Sequence, residues 1–227
     1  MPRVRSRSSL ELAAGLLALW CIAMLAVMFA RPHFTNASQP QHGIPDPVLA
    51  LQMARDLADV DAVLSEAPSP DREVMRIKQY EDFGFIAGYA ALYLVFAVLL
   101  ARARPGARLI AIAGAFAGVA AAVLDGIENF AILRILDLRL MSTTQAMIDA
   151  IHVTAMFKWA LGFIAVGLLS TYFFCDQRRT ARVVGGIYAA AAVVGLYGLL
   201  NNAVLAFGAG LILLGLCGAV VVFLLLP

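Results

Sequence analysis

Cysteine and lysine are both scarce in this chain of 227 residues. The three cysteines, Cys21, Cys175 and Cys217, stand far apart with no C-x-x-C pair, so neither a redox couple nor a thiolate metal site is indicated. Only Lys78 and Lys158 among the seventeen basic residues are lysine, a bias expected of a G+C-rich bacterial genome, which makes a lysine inside an apolar run conspicuous. The net charge of +2 is small and its arginines are dispersed among loops, which argues against nucleic acid. No Gly-rich phosphate loop, H-E-x-x-H or G-x-S-x-G is present, and nothing in the spacing implies a metal or cofactor. The Asn36-Ala37-Ser38 sequon has meaning only in a eukaryotic secretory setting, which the arginine bias disfavours.

What the chain has in abundance is long apolar runs: it is 62% hydrophobic and only 14% charged. A helix needs about 20 such residues to cross about 30 Å of hydrocarbon. The pattern predicts an all-α polytopic membrane bundle of about six spans, over 12–30, 83–101, 109–136, 147–175, 183–206 and 209–226. The first run exceeds the apolar core of a secretory signal, so a retained helix is expected. Residues 183–227 hold no charge at all. As one straight helix they would measure roughly 67 Å, so they must fold back, and Gly208-Ala209-Gly210 is the expected turn.

Arg3, Arg5 and Arg7, then Arg102, Arg104 and Arg108, then Arg178, Arg179 and Arg182 fall in segments that six crossings place on one side. The positive-inside rule makes that side the cytoplasm of an inner membrane, with residues 1–11 and both termini cytoplasmic. The polar segment 31–82, with nine acids against five bases, is then periplasmic. Within it Asp46-Pro47 is a helix start, and Leu49, Met53, Leu57, Val60 and Leu64 recur at helical spacing. One amphipathic helix over 47–66 is expected, a lid on the outer ends of the bundle or a docking surface for a partner.

Charged side chains in apolar helices are costly and tend to face the protein interior. Asp125, Glu128 and Asn129, at i, i+3 and i+4, share one face of the third span. Asp125 lies 17 residues beyond Arg108, Glu128 20 beyond it, Lys158 20 before Arg178, Asn201 19 beyond Arg182 and Asp82 20 before Arg102. All five therefore sit at one level, about 25–30 Å from the inner face. Tyr89 and Tyr93 continue the Asp82 stripe inward, and Tyr197 lies one turn from Asn201. A ligand pocket open to the outside, lined by Asp125, Glu128, Asn129, Lys158, Tyr89, Tyr93, Tyr197 and Asn201, is the expectation, with Lys158 paired to Asp125 or Glu128. The bland alternative is an ion-pair network that pins helices, with Asp82 in the loop and Lys158 snorkelling outward. His152, about 120° around the helix from Lys158, does not share its face. Gly84-x-x-x-Gly88 and Gly114-x-x-x-Gly118 read as close helix packing.

Asp125-x-x-Glu128-Asn129, followed some thirty residues later by Lys158-Trp159, resembles uncharacterised bacterial multi-pass membrane proteins that carry an amphipathic outer segment after the first helix. The resemblance covers the first four helices and implies an arrangement, not an activity. Three functions compete. The favoured one is a binder or modifier of a lipid or small amphiphile; in its enzyme form Asp125 or Glu128 is the general acid or base and Lys158 tunes it. The others are a proton- or ion-coupled transporter, which the absence of an internal repeat disfavours, and a non-catalytic subunit or scaffold.

Overall fold

The computed structural model describes residues 8–30, 33–35 and 43–226. Arg3, Arg5, Arg7 and the Asn36 sequon lie outside them. Six helices are long and apolar enough to cross a membrane, and no strand occurs among the described residues. The chain is an all-α multi-pass bundle.

The spans are α1 (Ser9–Ala30), α4 (Pro70–Ala103), α5 (Arg108–Leu136), α6 (Gln145–Leu169) continued by the short α7 (Thr171–Cys175), α8 (Arg179–Gly198) and α9 (Asn202–Val220), the last ending in a π-helical turn. Each packs against its neighbours in sequence, and α9 returns to α1, so the six spans close a ring. Small residues allow the close approaches. Gly84 and Gly88 of α4 face Met24, Trp20 and Cys21 of α1, while Gly114 and Gly118 of α5 face Leu169 and Tyr93. At the end that carries Arg102, Arg104, Arg108, Arg178, Arg179 and Arg182, the rings of Phe96, Tyr172, Phe173, Tyr188 and Phe223 interlock at centroid distances of 5.4–6.4 Å and seal the interior.

The opposite end is covered by α2 (Pro47–Gln52) and α3 (Leu57–Leu64). One helix over 47–66 was expected, and the structure has two. Asp46 caps α2 by accepting from Leu49 N, and Asp56 ends any continuation by accepting from Asp59 N as the cap of α3. Asp59 in turn accepts from Arg55 N. Asp56 and Asp59 are thus engaged in capping and turn bonds. The apolar positions are buried all the same: Leu49, Met53, Val60 and Leu64 pack on the ends of α4, α5 and α6 and on Leu205 of α9.

Three further boundaries differ from expectation. The second span was expected to start at 83, yet α4 begins at Pro70 and is 34 residues long, roughly 51 Å. Proline at the first position, Asp71 and Glu73 in the first turn and no breaker before Gly84 make the polar stretch helical without making it apolar. Asp82 therefore lies on a helix and not in a loop. The fourth span is interrupted at Ser170, where the Ser170 and Thr171 hydroxyls donate to the Gly167 and Leu168 carbonyls. The last two helices turn at Leu199–Asn201, not at Gly208–Gly210, because Asn201 N donates to the Tyr197 and Gly198 carbonyls and α9 starts at once.

The cap is tied down by Arg72, only 3% exposed, which donates to the Ser65, Ile135, Leu136 and Leu138 carbonyls and so satisfies the C-terminus of α5. Arg72→Met is expected to raise the rate of proteolytic cleavage within 43–69 about tenfold, given that a charged hydrogen bond is worth roughly 1.5–3 kcal/mol. Unchanged cleavage in a limited-digestion time course would show that the apolar contacts alone hold the cap.

Candidate functional site

The intramembrane polar residues meet. Lys158 Nζ, on α6, donates to Asp125 Oδ1 at 2.6 Å and to Glu128 Oε1 at 2.9 Å, both on α5. Their i, i+3 spacing puts the two carboxylates on one face of α5, and α6 lies against that face along its length. Asp125 Oδ2 accepts from the Tyr89 hydroxyl of α4 at 2.9 Å, joining three helices. One step further round α5, Asn129 Nδ2 donates to Asp82 Oδ2 at 2.8 Å and to the Gln79 carbonyl at 3.5 Å. Asp125 and Lys158 are each 7% exposed, and Glu128 and Asn129 not at all. Two carboxyl groups thus share one ammonium, and a third, Asp82, is held near them by Asn129. Glu128 Oε2, Asn129 Oδ1 and Gln79 Oε1 have no hydrogen-bond partner among the described residues.

Beside this network the ring of helices holds a partly open cavity of about 180 Å³. All six spans contribute to its wall: Leu25 of α1, Tyr89 and Tyr93 of α4, Asp125 of α5, Lys158 and Trp159 of α6, Tyr188 of α8, and Ile212 of α9 among others. On α6 the wall runs from Lys158 to Leu169, roughly 16 Å of helix. The cavity is therefore long and narrow, apolar for most of its length, with the Asp125–Lys158 pair at one end. Toward the arginine end Tyr188, 4% exposed, lines it with a hydroxyl that has no partner among the described residues.

The network also reaches the cap. Lys158 Nζ stands 5.6 Å from the centre of the Trp159 ring, which stacks on Phe163 and donates from Nε1 to Gln52 Oε1 of α2 at 3.1 Å. The polar end of the cavity thus lies beneath α2.

Of the eight expected ligand-binding residues, Asp125, Lys158, Tyr89 and Tyr93 line the cavity. Glu128 and Asn129 belong to the network but stand behind the wall, out of reach of a molecule inside. Tyr197, 56% exposed, and Asn201 sit at the turn between α8 and α9 and face outward, a correction that follows from the placement of that turn. His152 is half-buried beside Met53 and Arg55 of the cap and Asp149 of its own helix, away from the network. Trp159, Tyr188 and Gln52 were not anticipated as site residues. Tyr188 carried a signal, being one of only two tyrosines, with Tyr197, in the charge-free segment; Gln52 carried none.

The fold and this intramembrane site define a multi-pass helical membrane protein built around a narrow central cavity. Comparison of the chain with protein-family models, with curated proteins and with solved structures finds no match.

Proposed function

We propose that this protein binds a single-chain amphiphile in its central cavity, with the polar head at Asp125 and Lys158 and the chain running toward Tyr188. The observation that carries the reading is one elongated cavity to which every span contributes, polar at one end and lined by apolar and aromatic side chains beyond it. Its volume is about 180 Å³ and it is only partly enclosed, so a chain longer than the cavity can extend from it. Spread over two to three helical turns, it admits one slender chain and excludes a two-chain lipid. The arginine-bearing end lies at the cytoplasmic face of an inner membrane by the positive-inside rule, which places the cap and the polar end of the cavity toward the periplasm.

Gly162 supplies the test. It lies on the cavity wall, and a methyl group built there meets nothing within 4 Å, so a larger side chain enters the cavity without disturbing the helices. Of the two tryptophans, Trp159 lines the cavity and Trp20 does not, so Trp20→Phe leaves one reporter. In lipid nanodiscs, decanol is expected to change Trp159 fluorescence saturably, and Gly162→Leu is expected to abolish the saturable part. A response that is linear, or that survives in Gly162→Leu, overturns the reading.

A further inference from the structure

We propose that the head group of the bound amphiphile is cationic, an ammonium carried on one alkyl chain. This rests on the reading of the cavity given above and adds the sign of the head.

The argument starts from charge. Asp125 and Glu128 share the one lysine at this site, and half-buried Asp82 stands close by, held by Asn129, the residue after Glu128. With all three acids ionised the group is doubly negative, and with any one of them protonated it is still negative. Lys158 has two of its three protons directed at Asp125 and Glu128. An anionic head would therefore enter as a fourth acid against a base already shared by two, in a setting where like charges repel strongly. A cationic head meets the opposite sign.

Donor geometry points the same way. Carboxylate and phosphate heads need free N–H or O–H groups. At this end of the cavity the Tyr89 hydroxyl is donated to Asp125 and the Trp159 indole to Gln52. An ammonium needs acceptors and ring faces, and these are present. Asp125 is on the wall, and around it stand Phe85, Tyr89, Tyr93 and Trp159, with Phe85–Tyr89 and Tyr89–Tyr93 centroids 5.3 and 5.7 Å apart. A quaternary ammonium seated within about 6 Å of such a ring face is attracted by the ring quadrupole.

The test uses three probes of one chain length, decyltrimethylammonium, decanol and decanoate, read by Trp159 fluorescence of the full chain carrying Trp20→Phe in zwitterionic nanodiscs. After correction for partitioning into protein-free discs, decyltrimethylammonium is expected to half-saturate at about tenfold lower concentration than decanol, with decanoate weakest. Glu128→Gln removes a charge without touching the cavity wall and is expected to cut that preference several-fold. Asp125→Asn is expected to abolish it, and decanol binding in either variant serves as the control for folding. Equal binding of decanol and the ammonium, or a preference for decanoate, each blocked by Gly162→Leu, overturns the cationic head and leaves the amphiphile site standing. Saturable binding of none of the three overturns both.

Discussion

Lys158→Met is expected to lower the thermal midpoint of the detergent-solubilised protein by on the order of 10 °C. Among the described residues the lysine is the sole cation in contact with Asp125 and Glu128, at 2.6 and 2.9 Å, and Glu128 is fully buried with its second oxygen unpartnered. Breaking a buried pair from one side costs roughly 3–5 kcal/mol, because a charge is left without compensation in a poorly polarisable interior. Replacing the whole group with apolar residues of similar size costs far less, since the desolvation penalty goes with the charges. Lys158→Met combined with Asp125→Leu and Glu128→Met is accordingly expected to recover more than half of the lost midpoint. A single variant as stable as the parent would show that the three residues do not form this pair. A triple variant no better than the single one would show that the lysine contributes by packing.

That Asp125, Glu128 and Lys158 would meet was legible because two independent regularities converge on it. Helical periodicity puts the two acids on one face of α5, and counting from the arginine-bearing ends puts Lys158 at their depth on the next helix. The six spans were legible for an equally direct reason, the length of the apolar runs. What the sequence concealed was of another kind. Hydropathy marks where a helix turns apolar, not where it begins, so the polar first turns of α4 went unread although Ser69-Pro70-Asp71 is a helix start. Leu49, Met53, Leu57, Val60 and Leu64 keep helical spacing across a break made by Asp56, because the capping bond of one side chain outweighs a period that packing alone sustains. Tyr197 and Asn201 were placed at the right depth on the wrong side, since depth follows from counting but facing follows from which neighbours a helix finds. Tyr188 and Phe96 close the cavity from helices far apart in sequence, a non-local contact that no window along the chain contains.

Glycine in the final hairpin is where reading and structure part most clearly, and the difference has a measurable consequence. Gly208 and Gly210 look alike as turn formers, yet both lie inside α9 and their surroundings differ. A methyl group at Gly208 would stand 2.6 Å from the Cα and 2.9 Å from the N of Gly195, backbone atoms that cannot give way, whereas at Gly210 it would meet nothing within 4 Å. Gly195 itself is held against the Phe163 ring. Alanine at 208 must therefore push α9 off α8, at the roughly 1–3 kcal/mol typical of overpacking, and on the order of 5 °C in midpoint. Alanine at 210 is expected to leave the midpoint unchanged or raise it slightly, because glycine inside a helix costs about 1 kcal/mol relative to alanine. A turn at Gly208–Gly210 makes no such distinction between the two positions. Equal losses at both would place the turn there and open the ring that encloses the cavity, while a loss at 208 alone fixes α8 and α9 in the contact that closes it.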